Sequence, residues 1–269
     1  MTVTSMLRTF GIDLKKFKRA LRSLPYYIKN RREFMGQWRK HGTSEFTRGR
    51  FRPCLFDRFE SGGVAAGHYF HQDLLVAQLI YKRQPTIHID IGSRIDGFVA
   101  HVATFRKVQV LDIRAVQSAV TNIEFHEHDL MLDDEKWHDI TDSLSCLHAL
   151  EHFGLGRYGD PIDFNGHLKG FTNLTRMLKP NGMLYFSVPV SGQPRIEIDA
   201  HRVFGFDYLE RMFNENNLAL KNFHCVDDNG ELHKNVPLTD APDKIKILHY
   251  GCGIFELTKK TKVHDSASL

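Results

Sequence analysis

The sequence predicts a doubly wound α/β domain, in which helices cover both faces of a mostly parallel sheet. From residue 69 onwards, short runs rich in apolar and β-branched residues alternate with helical patterns. Repeated strand–helix units of this kind form parallel sheets. In addition, the first of these strands runs directly into a glycine turn, and a helix follows that turn. A basic helical extension is predicted in front of the domain.

Composition fits one large domain with an extension. The chain has 269 residues, of which 42% are hydrophobic and 25% are charged, as in ordinary soluble globular proteins. From the sequence we expect neither a transmembrane helix nor a secretory signal. The predicted parts are a basic extension with a loop at 1–68, the α/β domain at 69–260 and a disordered tail at 261–269.

Basic residues are concentrated in the extension. Residues 1–52 contain 14 Lys and Arg against 3 Asp and Glu, whereas the rest of the chain contains 22 against 29. The body is therefore mildly acidic, which disfavours nucleic acid as its partner. The charge asymmetry assigns any contact with an anionic surface to the extension.

The four cysteines, Cys54, Cys146, Cys225 and Cys252, are widely scattered and form no Cys-x-x-Cys pair. This usage is typical of a reducing cytoplasm, and we expect the thiols to be inert core residues. A structural zinc site made from these cysteines is not expected.

Apolar residues of the extension follow a helical period. Their spacing by three and four places them on one helix face: Leu7, Phe10, Leu14, Phe17, Leu21 and Leu24. Pro25 is expected to end this helix, because proline lacks a backbone N–H. The favoured interpretation is packing against protein. Peripheral contact of residues 1–25 with an anionic membrane is the alternative, and a nucleic-acid arm is a weaker one.

Further elements of the body follow in order. Residues 42–67 are predicted to form a glycine-containing loop that could cover a ligand. Helices are predicted at 69–83, 98–103, 168–178 and 206–216, the last with Asp207 as its cap. Seven strands are predicted, at 87–90, 107–112, 122–126, 143–147, 183–188, 219–226 and 245–258.

The turn from Gly92 to Gly97 is the predicted ligand-binding turn. Glycine lets the backbone approach a ligand, and the next helix offers free N–H groups at its N-terminus. A nucleoside also needs an acid for its ribose hydroxyls about 20 residues further on. Asp112 lies 20 residues after Gly92, at the end of the second strand. Alternatively, these residues form a plain connection and a solvated strand-end carboxylate.

Five stretches together resemble the successive motifs of class I S-adenosylmethionine-dependent methyltransferases. They are Asp90-Ile-Gly-Ser, Asp112, His128-Asp129-Leu130, Leu147-His-Ala-Leu-Glu-His152 and Leu178-Lys-Pro-Asn-Gly-Met-Leu-Tyr-Phe-Ser-Val-Pro189. The resemblance covers roughly residues 70–258. Within that superfamily, the run from His148 to Pro161 looks like a bacterial family of unknown function found in surface-polysaccharide loci.

The resemblance implies a Rossmann-like sheet and S-adenosylmethionine as the cofactor. The residues that it implies for cofactor binding are Asp90, Gly92, Ser93, Arg94, Gly97, Asp112, Asp129, Leu130 and Leu147. Arg94 departs from the family pattern, which has glycine at that position. Its side chain would either crowd the methionine part of the cofactor or hydrogen-bond the cofactor carboxylate.

The loop after the fourth strand supplies the candidate catalytic residues. His148 and His152 are the first candidates for orienting the acceptor or taking its proton, because the ordinary pKa of histidine is about 6.5. His201 and Asp199 compete for this role. The resemblance leaves a divalent metal on Glu151 and His152 open without predicting one. An inverted zinc-hydrolase motif has the same spelling, but it requires a continuous helix and a further ligand.

The preferred hypothesis is methyl transfer to a small polar acceptor. By resemblance alone, the acceptor is a sugar hydroxyl, for example of a nucleotide sugar or glycan in surface-polysaccharide biosynthesis. The protein would act in the cytoplasm or at the inner face of the membrane. Two alternatives stay open, a non-catalytic protein that binds a cofactor or partner, and a different transferase or hydrolase on this architecture. The oligomeric state is not predicted.

Overall fold

A computed structural model describes residues 3–41, 46–47, 49–116 and 119–261. The chain divides into two compact units, Met1–Val64 and Ala65–Leu269, and each unit is described by itself. Apart from Thr261, the predicted disordered tail lies outside the described residues. The division of the chain into functional domains stays a prediction.

The first unit contains two helices, α1 (Val3–Thr9) and α2 (Leu14–His41). Gly11, with φ at 79°, interrupts the helical backbone between them. The Asp13 carboxylate then accepts hydrogen bonds from the backbone N–H groups of Lys15 at 2.8 Å and Lys16 at 3.2 Å. A cap of this kind starts a new helix. The predicted single apolar helix is therefore wrong, because its residues are divided between two helices.

Pro25 does not end α2, contrary to the prediction from sequence, because the helix continues to His41. Proline removes one hydrogen-bond donor, but its fixed φ of about −65° is a helical value. The good helix formers on both sides, including lysine, arginine and leucine, favour continuation. None of the helices within the described ranges combines the length and apolarity that a membrane span requires.

The second unit is built on an eight-stranded sheet. Its strands are β1 (His88–Ile91), β2 (Val108–Asp112), β3 (Ile123–Glu127), β4 (Thr141–Leu147), β5 (Leu178–Val190), β8 (Leu218–Val226), β9 (Leu232–Val236) and β10 (Gly251–Lys259). A separate two-stranded ribbon contains β6 (Arg195–Glu197) and β7 (His201–Val203). The order across the large sheet is β3-β2-β1-β4-β5-β10-β8-β9.

The first five strands in this order are parallel, and the last three join antiparallel. The predicted doubly wound, mostly parallel fold is confirmed. The sheet has one strand more than the seven predicted, because β9 forms a hairpin with β8. The sequence of β9, with Lys234 and Asn235, lacks the run of β-branched and aromatic residues that typifies strands.

Helices cover both faces of the sheet. One face carries α3 (His68–Arg83), a π-helical turn at Ile95–Val99 and α4 (Ala100–Ala103). The other face carries α5 (Gly166–Met177), α6 (Phe206–Glu215) and α7 (Ala241–Lys246). Each face has its own cluster of buried apolar side chains, as expected for a sheet covered on both sides.

Two local predictions are wrong. The α6 helix starts after Gly205, and within the described residues no side chain caps it. Asp207 lies in its first turn, where a negative charge still favours the helix dipole. The predicted closing strand at 245–258 starts only at Gly251, because Pro242 and Asp243 begin the short helix α7 instead.

Candidate active site

The candidate site lies at the carboxyl ends of the parallel strands. β1 lies between β2 and β4, and the chain reaches β2 and β3 on one side of it before it returns to β4 and β5 on the other. A crevice opens at such a reversal of strand order, and ligands bind there in open α/β sheets. The turn at 92–97 leaves β1 at this point, and residues 148–152 leave β4 beside it.

Asp90 holds the glycine turn in place. Its fully buried carboxylate accepts three hydrogen bonds, from Ser93 N at 3.1 Å, from Ser93 Oγ at 2.6 Å and from Ser145 Oγ at 2.5 Å. Burial outweighs these bonds and raises the pKa of Asp90 to about 6. Ser93 Oγ also accepts a bond from the backbone N–H of Leu147 at 3.2 Å. Asp90 therefore ties the end of β1 to the end of β4.

His88 extends this network into the sheet. Its Nε2 lies 3.1 Å from Ser145 Oγ, and its Nδ1 lies 2.9 Å from Ser143 Oγ. Because the Ser145 hydroxyl donates to Asp90, its oxygen is left to accept from His88. His88 is therefore neutral with its proton on Nε2, and Ser143 donates to Nδ1. Burial lowers the pKa of His88 to about 3, which agrees with this assignment.

Two glycines of the turn have no space for a side chain. Gly92 has φ at 64°, and a Cβ there would lie 3.1 Å from Cβ of Ala149. A Cβ at Gly97 would overlap the Asp73 carboxylate, which projects from α3. Glycine is favoured at Gly92 because its backbone is left-handed, and at Gly97 because a Cβ would force the Asp73 carboxylate to move.

Arg94 lies within the turn, and its guanidinium is directed to neighbouring side chains. It donates to both carboxylate oxygens of Asp96, at 3.2 and 3.1 Å, and lies 5.0 Å over the Tyr69 ring. Half of the Arg94 side chain is exposed. The guanidinium does not occupy a buried space, although its predicted contact with a cofactor stays a prediction.

Asp112 stands at the end of β2, where the sequence placed it. Its carboxylate is bound by Arg114, which donates from its backbone N–H at 2.8 Å and from two guanidinium nitrogens at 2.9 and 2.8 Å. Arg114 also lies 4.4 Å over the ring of Tyr158. Sequence reasoning missed this partner, although a bidentate arginine two residues after the acid is a visible signal.

The other predicted cofactor-binding residues, Asp129, Leu130 and Leu147, lie near the ends of β3 and β4. The Asp129 carboxylate accepts from the backbone N–H of Met131 at 2.9 Å and so shapes the loop after β3. Leu130 and Leu147 are buried apolar residues. All three lie at the carboxyl ends of their strands, and their contact with a cofactor stays a prediction.

His148 is buried at the end of β4 with φ at 50°. Its Nδ1 lies 2.8 Å from Oε1 of the buried Glu151, and its Nε2 has no hydrogen-bond partner in the described part of the chain. Burial opposes the charged ring, but nearby Cys252 and Glu151 raise the pKa of His148 well above its ordinary value. His148 therefore does not favour the neutral form that a general base needs.

His152 and His201 lie close together, with their ring centroids 6.1 Å apart. His152 donates from Nδ1 to the Ala200 carbonyl at 2.6 Å. Burial lowers the pKa of both histidines, so both rings are neutral near pH 7 and able to accept a proton. Their competitor Asp199 is exposed on the loop before β7. The catalytic roles of all these residues stay predictions.

The loop from Ala149 to Phe153 does not form a continuous helix. Residues 150–152 form a single 3₁₀ turn, so the inverted zinc-hydrolase motif lacks the continuous helix that it requires. Glu151 Oε1 lies 3.8 Å from His152 Nε2, and Glu151 Oε2 is buried with no partner among residues that the structure describes. The pair has the chemistry of a metal ligand set, but it offers only two residues.

Three further residues at this edge were missed by sequence reasoning. The His68 ring stacks with the rings of His148 and Tyr250, with centroid distances of 5.4 Å to each. Cys252 is fully buried nearby in β10. Burial and the neighbouring His148 lower the pKa of His68 to about 4. His68 is distant in sequence from Tyr250 and Cys252, and all three are distant from His148, so no spacing pattern connects them.

The comparison with known families identifies the family of this chain. The family model described as "Caenorhabditis protein of unknown function, DUF268" matches residues 89–232, more than half of the chain. The chain belongs to this family. The matched DUF268 segment contains β1 to β8, and with them the glycine turn, Asp112 and the three candidate histidines. No curated protein matches the sequence.

Solved structures with the fold of the DUF268 chain include two that differ in activity. One is the Burkholderia thailandensis 1,6-didemethyltoxoflavin-N1-methyltransferase with bound 1,6-didemethyltoxoflavin and S-adenosylhomocysteine. It shares 14% identity over 71% of this chain and 79% of that chain, with a TM-score of 0.51. The other is the [4+2]-cyclase SpnF, with 15% identity over 70% and 82% and a TM-score of 0.50. These similarities establish the Rossmann-like fold of methyltransferases, and the fold alone does not fix the reaction.

Proposed function

We propose that the protein is an S-adenosylmethionine-dependent methyltransferase, with a hydroxyl oxygen as the favoured methyl acceptor. The observation that carries this proposal is the Gly92 turn, which Asp90 and two serines hold at the crevice between β1 and β4. S-adenosylhomocysteine, the product form of this cofactor, is bound in one solved structure of the same fold. The resemblance of the successive motifs adds further support.

The residues at the crevice fit such a cofactor. Without side chains, Gly92 and Gly97 let the turn pack against Ala149 and Asp73, and this packing holds the turn backbone at the crevice, where the methionine part is proposed to bind. Asp112 is the proposed acceptor for the ribose hydroxyls, and Asp129 with Leu130 is proposed to contact the adenine. The Asp112–Arg114 pair has to open for this. Because half of the Arg114 side chain is exposed, the pair contributes only about 0–1 kcal/mol.

The cofactor, when bound, supplies an electrophilic methyl group on its sulfonium. We propose that His201 or His152 takes the proton of the acceptor hydroxyl, since both rings are held neutral by burial. His148 then has a positioning role. A sugar hydroxyl, as in a nucleotide sugar or glycan of surface-polysaccharide biosynthesis, is the proposed acceptor, and it is supported by the family resemblance alone.

The remaining proposals concern the rest of the chain. We propose residues 69–260 as the catalytic domain, acting in the cytoplasm. For the extension we propose peripheral contact with the inner face of a membrane. The support for this contact is the basic charge of residues 1–52 and the exposure of Phe17 and Leu21 on α2.

Calorimetric titration of the full chain with S-adenosylmethionine and with S-adenosylhomocysteine tests the cofactor proposal. We expect saturable binding of both. Replacement of the carboxylate in Asp112→Asn should weaken it about 10–100-fold, the value of a hydrogen bond to a charged group. Asp139→Asn is the matched control, because this exposed carboxylate also pairs with one cation, Lys259 at 3.0 Å, but at the amino end of β4. Absence of binding at millimolar ligand would refute the proposal, and equal affinity in Asp112→Asn would refute the ribose assignment.

A further inference from the structure

We propose that His68, His148 and Cys252 form a zinc site, with an open fourth coordination position. One ligand atom from each of these three residues lies within 4.8 Å of the corresponding atoms of the other two. The proposal concerns the second unit only. It does not depend on methyl transfer or on the identity of the acceptor.

The ligand set suits zinc. Zinc is bound by histidine nitrogen at about 2.0–2.1 Å and by cysteine sulfur at about 2.3 Å, and three protein ligands with one open position are typical of its catalytic sites. Tetrahedral bonds of these lengths place neighbouring ligand atoms about 3.5 Å apart. Small side-chain rotations would therefore bring the three observed atoms into coordination. Sulfur and imidazole together disfavour magnesium and calcium, which prefer oxygen.

His148 has the hydrogen-bonding pattern of a metal ligand. Its Nδ1 is engaged by Glu151 at 2.8 Å, which leaves Nε2 as the nitrogen available for coordination. The side chain of His148 is only 4% exposed, and its Nε2 finds no partner among the described residues. Leaving such a nitrogen buried and unpaired is costly. A metal ion would satisfy it, and a carboxylate on the other ring nitrogen is the usual support of a zinc-bound histidine.

His68 supplies the second nitrogen, because one ligand atom of its ring lies within 4.8 Å of those of His148 and Cys252. The rings of His148 and Tyr250 are nearly parallel to the His68 ring, with interplanar angles of 13° and 24° and centroid distances of 5.4 Å to each. Stacking fixes the ring plane before any ion binds, which reduces the entropy lost on binding.

Cys252 supplies the sulfur. It is fully buried, and its Sγ donates hydrogen bonds to Gln72 Oε1 at 3.7 Å and to the Gly253 carbonyl at 3.9 Å. A thiol is a weak donor, so coordination of a metal ion would replace only weak bonds. Within the described residues, no fourth histidine, cysteine or acid joins the group. The fourth position would be available to water or to an oxygen of a small molecule.

Cobalt(II) is the probe for this site, because it occupies zinc sites and its thiolate bond gives a charge-transfer absorption band in the near ultraviolet. The full chain is treated with a chelator, dialysed and titrated with cobalt(II), without S-adenosylmethionine or acceptor. We expect one equivalent to bind with a thiolate band and visible bands of four-coordinate cobalt. Zinc added afterwards should abolish these bands.

Cys252→Ser should abolish the thiolate band. Cys225→Ser is the matched control, since Cys225 is equally buried in the neighbouring strand but packs into the core on the other face of the sheet. Glu151→Gln should weaken zinc affinity about 10–100-fold, as expected when the support of a ligating histidine is lost. If Cys252→Ser does not fold, as judged by circular dichroism, His68→Ala provides the test, and we expect it to lower zinc affinity at least tenfold.

Absence of stoichiometric cobalt binding in the chelator-treated wild-type chain would overturn the proposal. So would a thiolate band that persists in Cys252→Ser, or a zinc affinity that is unchanged in His68→Ala. Each of these results leaves the methyltransferase proposal intact, because no measurement uses the cofactor. Conversely, a chain that binds zinc but not S-adenosylmethionine would support the zinc site and refute the cofactor proposal.

Discussion

His201 has a ring nitrogen, Nε2, that is buried and for which the described chain offers no hydrogen-bond partner. Burial lowers its pKa, so the ring is neutral near pH 7 and its nitrogen is free to accept a proton. The ring also lies next to Tyr250, at a centroid distance of 5.5 Å, and thereby close to the stacked His68. Among the candidate bases, His201 has the best combination of a neutral ring and a free acceptor.

Substitution of His201 by glutamine is expected to lower kcat of methyl transfer about 10²–10⁴-fold, the usual contribution of a general base. The affinity for S-adenosylmethionine should not change, because the ring is assigned to the acceptor. Formation of S-adenosylhomocysteine with hydroxyl acceptors, including nucleotide sugars, measures the rate, and calorimetry measures the affinity. His249→Gln, in an exposed residue near Tyr250, is the control. A wild-type rate in His201→Gln would transfer the role to His152.

Part of the site could be predicted residue by residue. The positions of Asp90 in β1 and of Asp112 at the end of β2 could be predicted, because the spacing from a strand to its turn and to the next strand end is set by the fold itself. Arg114 and Ser145 were missed. Each donates a hydrogen bond to an acid, Arg114 to Asp112 and Ser145 to Asp90, and the sequence does not show which of several possible donors pairs with that acid. The contact of Cys252 with two histidines depends on tertiary packing, which spacing does not encode.

Among the elements, α2 departs most from expectation. It passes through Pro25 and leaves a row of apolar residues exposed, from 39% at Leu24 to 61% at Phe17. Basic residues occupy much of the remaining helix surface. Exposed apolar side chains on a basic helix are typical of segments that bind an anionic membrane surface. Periodicity correctly placed Leu14, Phe17, Leu21 and Leu24 in one helix, but it wrongly joined Leu7 and Phe10 to them, and it could not tell whether these side chains would be covered.

Full-length protein is expected to float with vesicles that contain an anionic lipid and not with neutral vesicles. Phe17→Asp should reduce the recovery about tenfold or more, because burial of a phenylalanine side chain contributes about 1.5–3 kcal/mol. Phe46→Asp is the control, since Phe46 is also exposed but lies outside the helix. Equal recovery of the two variants and of the wild-type chain would argue against membrane contact by α2.

At the scale of the whole molecule, strand order explains why the site assembles. The motif residues after β1, β2, β3 and β4 meet because the carboxyl ends of parallel strands share one edge. Cys252 reaches the same edge from the opposite direction, because β10 runs antiparallel to β5 and pairs Cys252 with Pro189. The sequence predicted the parallel part from its alternating pattern. The antiparallel part was located less well, since strand β9 and helix α7 have weak local signals.

Buried neutral histidines make the stability of the whole molecule depend on pH. Burial lowers the pKa of His88 to about 3 and that of His167 to about 4, whereas in the unfolded chain histidine has a pKa of about 6.5. Below that value the unfolded chain binds more protons, so stability falls as pH falls. Between pH 7 and pH 5 each histidine should cost about 2 kcal/mol.

Asp90, with a pKa raised to about 6, has the opposite effect, because its folded-state protonation stabilises the molecule by about 1.3 kcal/mol between pH 7 and pH 5. The two histidines outweigh it, and a net loss of stability is expected. Urea unfolding at pH 7 and pH 5 measures this loss. His88→Gln should reduce the difference by about 2 kcal/mol, whereas His101→Gln, in an exposed residue, should leave it unchanged. An identical pH dependence in both variants would contradict the assignment to His88.

The strand β9 has a consequence for association between molecules. It covers the end of β8 from Phe223 to Val226, so the large sheet ends in two strands of only five residues, β3 and β9. Each is interrupted by charge, with Glu124 and Glu127 in β3 and Lys234 in β9. Unpaired strand edges are templates for aggregation, and short, charged edges suppress it. The hairpin that sequence patterns did not reveal therefore protects this sheet from growing by addition of foreign strands.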